Sequence, residues 1–282
     1  MKRILTAIIA GGALLALMIL VPDGHGFLGI CILLSFTGLL EYYRINGLGN
    51  GLRLSATIAS CGLAWLGCWE IAHGSKYEII IRISFLFLLM PALATWKLFL
   101  NPGKLADSQA GILFTGILYA LVPFCLFYML AGGLEFHGNY EYEFRIPLGI
   151  LILTWCSDTF AYFGGKLSGK RKLYVKISPG KTWEGLISGT AFCVAAGFIL
   201  QETWEFQFSG TLRMNWPIVA AIVAVFTPVG DLVESMIKRS LNIKDSGSIL
   251  PGHGGVLDRF DGPLLSIPVI FFALCLFAIA NS

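Results

Sequence analysis

Long apolar stretches separated by short polar connections dominate the pattern of this chain. Each stretch is about 20 residues long, the length that an α-helix needs to cross the hydrocarbon core of a bilayer. We therefore predict an all-α integral membrane protein, a polytopic bundle of about nine transmembrane helices. The predicted spans cover residues 4–22, 27–43, 54–72, 78–98, 111–132, 146–164, 185–201, 216–238 and 263–280.

The composition supports a membrane protein, because 56% of the 282 residues are hydrophobic and only 13% are charged. The first apolar stretch could be mistaken for a secretory signal. It is long, however, and no small-x-small cleavage site follows it before Pro22, so we interpret it as a retained helix. All seven cysteines fall inside predicted spans and form no C-x-x-C pair. Neither a disulfide framework nor a zinc site is therefore predicted.

The distribution of positive charge predicts the orientation. If the N-terminus is cytoplasmic and nine spans alternate, 16 of the 20 Lys and Arg residues fall on the cytoplasmic side and 4 on the other. This asymmetry agrees with the positive-inside rule, and it would be lost if the number of spans changed by one. We expect the C-terminus to be external.

Polar groups are concentrated in the second half of the chain. Residues 1–145 contain five predicted spans, few ionisable groups within them, and no pattern typical of a catalytic site. Residues 146–282 contain four predicted spans and two basic cytoplasmic loops, 165–184 and 239–262. We predict that the second part is catalytic and that both parts form one cooperative unit.

Acidic residues within spans are costly in a bilayer and are usually functional. Asp158 lies about six residues inside the predicted cytoplasmic end of its span. The alternative is a carboxylate at a frayed helix end, paired with a lysine. A second group, on one face of the eighth span at i, i+3, i+4 and i+7, comprises Asp231, Glu234, Ser235 and Lys238. This face forms either the wall of a polar site or a buried salt-bridge network between helices.

The loop after this span carries six polar functional groups: Lys244, Asp245, His253, Asp258, Arg259 and Asp261. Glycines on both sides of His253 allow the backbone to turn sharply and approach a ligand. Asp258 and Asp261 stand three apart, before Pro263, at which we predict that the last span begins. Oxygen ligands of this kind suit Mg2+. For any single residue, a solvated loop is the alternative.

The stretch "ISPGKTWEG", residues 177–185, ends like a phosphate-binding P-loop. The P-loop pattern requires a glycine where this chain has Val175, and we predict no strand before the stretch. Lys181, Thr182 and Glu184 nevertheless lie at the predicted start of a helix, where free backbone N–H groups favour anions. We predict that they face phosphates.

Carboxylates, lysines and glycines thus converge on one membrane face, which indicates phosphoryl or nucleotidyl transfer. A lipid kinase that uses CTP, or a cytidylyltransferase for another lipid phosphate, is an alternative within the same chemistry. A transporter is an alternative of a different class. It is disfavoured because transporters place ionisable groups near the midplane, on broken helices.

The segment "SMIKRSLNIKDSGSILPGHGGVLDRFD", residues 235–261, resembles the signature of the phosphatidate cytidylyltransferase (CDP-diacylglycerol synthase) family. The segments "SDTFAYFGGKLSGKRKL" and "SPGKTWEG" are similar to upstream segments of that family. By motif the resemblance covers about residues 155–262, and the first half matches only in hydropathy and length.

The resemblance implies a bacterial cytoplasmic (inner) membrane enzyme that transfers CMP from CTP to phosphatidic acid. The products are CDP-diacylglycerol and pyrophosphate, and no nucleic acid is involved. The resemblance also implies Mg2+ dependence, with K+ as a candidate second cation and a homodimer as a candidate assembly. Because a phosphate monoester is largely dianionic at neutral pH, its attack on the CTP α-phosphorus needs cations more than a general base.

The resemblance also assigns roles to individual residues. It implies that the carboxylates around the metal are Asp231, Asp258 and Asp261, and that Asp158 and Lys238 are further catalytic residues. The residues that it implies for substrate binding are Ser235, Arg239, Lys244, Asp245, His253, Gly254, Gly255, Arg259, Lys181, Thr182 and Glu184.

Overall fold

Helices make up most of the computed structural model, which describes residues 11–12, 15–21, 24–72, 89–100, 103–132, 142–204, 214–247 and 254–281. The helices are α1 (His25–Ile45), α2 (Asn50–Ala72), α3 (Leu89–Leu100), α4 (Gln109–Gly116), α5 (Val122–Ala131), α6 (Arg145–Ser168), α7 (Trp183–Thr203), α8 (Trp216–Ser240) and α9 (Leu257–Asn281). A π-helical turn, Ile117–Leu121, joins α4 to α5. Two short strands, β1 (Lys172–Tyr174) and β2 (Ser178–Thr182), lie between α6 and α7.

Six helical segments of the described chain are long and apolar enough to cross a membrane. They are His25–Ile45, Gln109–Ala131, Arg145–Ser168, Trp183–Thr203, Trp216–Ser240 and Leu257–Phe277. The prediction of an all-α integral membrane protein is confirmed at this level. All seven cysteines are free, as expected from their positions in the apolar spans.

The predicted number of nine spans stays a prediction. The predicted spans 4–22 and 78–98 lie partly outside the described residues, which cover only the end of each. The predicted span 54–72 lies within α2, which is not among the six segments. The predicted division at residue 145 falls at the first residue of α6.

The start of the last span differs from the prediction. Helix α9 begins at Leu257, so Asp258 and Asp261 lie in its first two turns, and Pro263 and Pro268 lie inside it. Proline is disfavoured inside a helix because it lacks the N–H that the helix interior uses, and Pro263 was therefore expected to begin the span. In membrane helices this loss is tolerated, because neighbouring groups satisfy the freed carbonyl. The two aspartates are therefore held by a helix.

The connection between α6 and α7 also differs from the prediction. It contains an antiparallel hairpin in which Lys172 pairs with Thr182 and Tyr174 with Ser178. The expectation that no strand precedes "ISPGKTWEG" was therefore wrong. Strands of three and five residues are too short to show the alternation of apolar and polar residues by which strands are recognised. The hairpin leads directly into α7.

Glycines allow the helices around the polar residues to approach closely. Helices α6 and α7 pack on each other, and α8 packs on both α7 and α9. A Cβ atom at Gly189 of α7 would lie 2.7 Å from the carbonyl oxygen of Ser157 in α6. One at Gly230 of α8 would overlap the carbonyl of Asp261 in α9. Small residues of this kind are typical of membrane helix interfaces, and here they bring polar residues of four elements together.

Helix α5 is the most buried helix of the described chain, because all of its residues after Val122 are buried. It contacts α1, α2, α6 and α9. Helix α1 consequently lies beside the start of α9, which brings the first half of the chain to the polar region of the second half.

Candidate active site

A cavity of about 470 Å³ opens between α6, α7, α8 and the hairpin. Asp158 of α6, Lys181 of β2 and Asp231 of α8 line it. The Nζ atom of Lys181 lies 2.7 Å from Oδ2 of Asp231 and donates a hydrogen bond of 3.0 Å to the carbonyl oxygen of Pro228. The hairpin therefore places one cation between acidic groups of two different helices.

Asp261 adds a third carboxylate next to this cavity. Its carboxylate interacts electrostatically with Asp231, Asp158 and Lys181. The close contact between Gly230 and the backbone of Asp261 explains this position, because it sets the first turns of α9 against α8. The backbone N–H of Gly262 donates to Oδ1 of Asp261 at 2.8 Å, which orients the side chain. Asp261 therefore adds negative charge to the region that contains Asp158, Asp231 and Lys181.

A buried ion-pair cluster of Glu234, Lys238 and Asp258 lies further along α8, toward the C-terminal end of that helix. The Nζ atom of Lys238 is 2.5 Å from Oε2 of Glu234 and 2.7 Å from Oδ1 of Asp258. The side chains of the two acids are 4% and 9% exposed, and that of Lys238 is 15% exposed. The cluster is thus the salt-bridge network between helices that the sequence left open as an alternative, whereas Asp231 lines the cavity.

The carboxylate of Asp258 is occupied by four donors. Lys238 donates to Oδ1, and Oδ2 accepts hydrogen bonds from the N–H and Oγ of Ser246, both at 2.9 Å, and from the N–H of Gly255 at 2.8 Å. Gly254 adopts a φ of 82°, which L side chains rarely adopt. Since a carboxylate offers about four lone-pair sites, Asp258 in this arrangement fits the role of an organiser of the loop better than that of a metal ligand.

The remaining carboxylates fit a cation that arrives with a substrate. Within the described part of the chain, no group of three or more His, Cys, Asp or Glu side chains is close enough to hold a metal ion by itself. Mg2+, however, typically uses one or two protein carboxylates and completes its shell with water and substrate phosphates. Asp231 is 41% exposed at its side chain, so its oxygens are accessible from the cavity. Asp231 is thus a carboxylate of the cavity that suits this mode.

Residues of the "ISPGKTWEG" stretch have different roles in the structure. Thr182 is the N-cap of α7, where its hydroxyl accepts from the N–H of Gly185 at 3.2 Å, and both residues line the cavity. The N-terminus of a long helix therefore faces the cavity. Glu184 instead accepts hydrogen bonds from the N–H groups of Lys170 and Arg171 at 3.1 and 3.2 Å. Its carboxylate thus holds the residues immediately before the hairpin, and its contact with phosphates stays a prediction.

The other residues predicted to bind substrate are distributed around the cavity region. Ser235 donates a hydrogen bond of 3.4 Å to Oδ1 of Asp231. Gly254 and Gly255 pack against Asp258 and the loop. Four of the residues predicted to bind substrate are exposed and do not line the cavity: Arg239, Lys244, Asp245 and Arg259. His253 lies outside the described residues.

Two residues of α1 that were not predicted to be functional, Glu41 and Arg44, contact the loop between α8 and α9. Glu41 is 3% exposed and accepts a hydrogen bond from the N–H of Leu257 at 3.1 Å. Arg44 donates from Nη2 to the carbonyl oxygen of Ser246 at 2.9 Å. An acid inside an apolar stretch was the signal that identified Asp158, and the same signal was present at Glu41. The first half was set aside because it showed no constellation of polar residues in the sequence.

An apolar cavity of about 230 Å³ adjoins the polar one. The two share Leu173, Leu186 and Pro228 as wall residues. The other residues around the apolar cavity are Phe99, Tyr174, Trp183, Thr190, Ala224, Val225, Val229 and Leu232. A charged region and an apolar region are therefore next to each other, as an amphiphilic ligand requires.

Comparisons with known proteins agree with this arrangement. The sequence model of the Cytidylyltransferase family matches residues 1–277. A phosphatidate cytidylyltransferase of Bacillus subtilis is 30% identical over 282 residues, covering 98% of each chain. One of Staphylococcus saprophyticus is 31% identical over 279 residues, covering 95% of this chain and 96% of the relative. One of Haemophilus influenzae is 41% identical over 133 residues, covering 47% of this chain and 46% of the relative.

Proposed function

The chain belongs to the cytidylyltransferase family, and on this basis we propose that it transfers CMP from CTP to phosphatidic acid. The products are CDP-diacylglycerol and pyrophosphate. The reaction is the one in the name of its relatives. The observation that supports the same reaction in this chain is the polar cavity lined by Asp158, Lys181 and Asp231, with an apolar cavity beside it.

The two cavities match the two parts of the lipid substrate. Phosphatidic acid has a charged phosphate and apolar acyl chains. The polar cavity accommodates the phosphate, and the apolar cavity beside Leu173, Leu186 and Pro228 receives part of an acyl chain. A nucleoside triphosphate reaches the polar cavity from the water side.

In the reaction, an oxygen of the lipid phosphate attacks the α-phosphorus of CTP. A new P–O bond forms there, the bond to the β-phosphate oxygen breaks, and pyrophosphate leaves with the electron pair. No side chain needs to remove a proton, because the second pKa of a phosphate monoester is about 6. The main barrier is the repulsion between two anions, which fixed positive groups reduce.

Two features of this chain supply that positive potential. Lys181 is held at its position by Asp231 and by the carbonyl oxygen of Pro228, and its ammonium keeps further donor capacity for phosphate oxygens. The N-terminus of α7 at Thr182 points its free N–H groups and the positive end of its dipole at the cavity. Both features are preorganised, so they need little rearrangement when charge moves during the reaction.

We further propose that Asp231 and Asp261 hold Mg2+, with Asp158 beside them and K+ as a second cation. When bound, Mg2+ neutralises negative charge on the phosphates of CTP. The carboxylates determine where a cation enters, and Lys181 prevents Asp231 from moving away from the cavity. Asp231 lines the cavity and its side chain is 41% exposed, so it can reach a cation there, and the negative charges of Asp158 and Asp261 add to the attraction.

The proposed location of the site is the cytoplasmic face of a bacterial inner membrane, with the N-terminus cytoplasmic. Exposed basic residues surround the hairpin beside the cavity: Lys166, Lys170, Arg171, Lys172 and Lys176. This concentration of positive charge is typical of a cytoplasmic segment. A homodimer stays a prediction, because the described residues do not test it.

The activity can be tested with the full chain purified in detergent. The protein is incubated with phosphatidic acid, Mg2+ and CTP that carries ³²P at either the α or the γ position. We expect label from the α position in the lipid fraction and label from the γ position in water-soluble pyrophosphate. Label from the γ position in the lipid would instead indicate a lipid kinase, and no lipid-soluble label from either CTP would contradict the proposed function.

A further inference from the structure

Glu41 of α1 is buried against the loop between α8 and α9, although about 200 residues separate them in sequence. Its Oε2 atom accepts the N–H of Leu257 at 3.1 Å and lies 3.5 Å from Oγ of Ser246. The amide of Val256 also lies near the carboxylate. Glu41 thus contacts the residues immediately before α9 and the first residue of that helix.

Ser246 lies between two carboxylates, those of Glu41 and Asp258. It is 1% exposed, and its N–H and Oγ both donate to Oδ2 of Asp258. Its carbonyl oxygen accepts from Arg44, one helical turn after Glu41. Every polar group of Ser246 is therefore used, and two of its three partners lie in α1.

Two glycines of the loop pack directly on the Glu41 carboxylate. A Cβ atom at Gly247 would overlap Oε1 of Glu41, and one at Gly255 would overlap Oε2. The backbone approaches this side chain so closely that any side chain at either position would require the Glu41 carboxylate to move. The conformation of the loop is thus shaped around the Glu41 carboxylate.

The burial of Glu41 is costly, which argues against a role in stability alone. Its Oε1 atom has no hydrogen-bond partner among the described residues. An unsatisfied buried acceptor costs about 1–3 kcal/mol, and apolar side chains often stabilise such positions better than buried ions do. Stability alone therefore does not explain why a carboxylate occupies this position.

We propose that Glu41 is a positioning residue for the nucleotidyl transfer, which rests on the function proposed above. It holds the loop and the first turn of α9 so that Asp258 remains paired with Lys238 and Asp261 remains beside Asp231. The first half of the chain thereby contributes to the geometry of the site without touching the substrates. Helix α1 acts as the support against which the α8–α9 loop is built.

The test compares Glu41→Ala, Glu41→Gln and a matched control, Ser35→Ala. Ser35 is also a buried polar residue of α1, but its Oγ accepts from the indole of Trp65 in α2, away from the loop. We expect Glu41→Ala to lower kcat by about 100-fold, because small displacements of catalytic groups have effects of that size, while KM for phosphatidic acid is unchanged. We expect Glu41→Gln to retain most activity, because its amide oxygen can accept the same N–H. Ser35→Ala should keep the wild-type kcat.

Hydrogen–deuterium exchange of the same full-length proteins separates this proposal from the proposed function. Without any substrate, Glu41→Ala should lose protection of the amides of Ser246, Gly255 and Leu257, whereas Glu41→Gln and Ser35→Ala should keep it. If Glu41→Ala does not fold, Arg44→Met provides the same test with a smaller loss of kcat. Unchanged protection and wild-type kcat in Glu41→Ala, or an equal loss in Ser35→Ala, would overturn the positioning role. A wild-type protein without activity would contradict only the function.

Discussion

The ammonium of Lys181 lies 2.7 Å from the carboxylate of Asp231, and this contact joins the hairpin to α8 across the candidate active site. The two residues are 50 positions apart in sequence. The pattern of hydrophobic residues does not predict that the hairpin and α8 are in contact. Their contact makes one wall of the cavity and places a positive charge where phosphates are expected.

Lys181→Gln should therefore lower kcat/KM for CTP by about 100-fold, because a fixed cation that contacts transferring phosphates has an effect of that order. The matched control is Lys176→Gln, which removes an exposed lysine from the turn of the same hairpin and does not line the cavity. Steady-state kinetics with α-labelled CTP measure both variants. Equal effects of the two substitutions would show that only the general positive charge of the hairpin matters.

Asp258→Ala should abolish activity while the protein still inserts into the membrane. The substitution leaves the N–H groups of Ser246 and Gly255 without their acceptor, and each unsatisfied buried group costs about 1–3 kcal/mol. The thermal midpoint in detergent should fall accordingly, and membrane fractionation reports insertion. A purified, folded Asp258→Ala protein with turnover near wild type would contradict the assignment of Asp258 to the site.

The Mg2+ dependence should distinguish the carboxylates. Asp231→Asn and Asp261→Asn should raise the Mg2+ concentration for half-maximal activity by at least about tenfold, the usual effect of altering a metal site. The residual activity of Asp258→Asn should keep the wild-type Mg2+ midpoint, since Asp258 is occupied by protein donors. Removal of Mg2+ with a chelator should stop the wild-type reaction reversibly. A shifted midpoint only in Asp258→Asn would reverse the assignment.

The apolar cavity should affect the lipid substrate and not the nucleotide. Val225→Trp fills the cavity and should raise KM for phosphatidic acid without changing KM for CTP. Ile218→Trp is the matched control, because Ile218 is also an exposed apolar residue of α8 but does not line the cavity. Kinetics in mixed micelles with a fixed detergent ratio give both constants. An equal change in both KM values would argue against an acyl-chain site.

The contact between α6 and α7 should depend on Gly189. Gly189→Ala places a methyl group against the carbonyl of Ser157, and overpacking of this kind costs about 1–3 kcal/mol. Gly62→Ala in α2 meets no atom within 4 Å and should be neutral or stabilising, since alanine favours helices over glycine. Thermal unfolding in detergent compares the two. If Gly189→Ala is as stable as Gly62→Ala, α6 and α7 can move apart enough to accommodate a methyl group without a loss of stability.

Local features of the chain were sufficient to predict most of the membrane helices and part of the candidate site. Hydropathy is a property of consecutive residues, so six spans could be located although the ends of several were misplaced. Asp158 and Asp231 could be recognised because an acid in an apolar helix is costly wherever it packs. The alignment of Asp231 with Ser235 follows from the helical repeat alone, and their hydrogen bond shows it.

The amino-acid sequence by itself thus determined that the chain is an apolar helical membrane protein. Its motifs indicated the family and contained most of the polar residues near the site. Only the tertiary structure decided how those residues are divided: Asp158, Lys181 and Asp231 line the cavity, whereas Lys238 and Asp258 belong to a buried ion-pair cluster. It alone decided that Glu41 supports the loop 205 residues later at Ser246. The physical reason is that the partner of a charged group is determined by distance in space, which close helix packing creates between segments that are far apart in sequence.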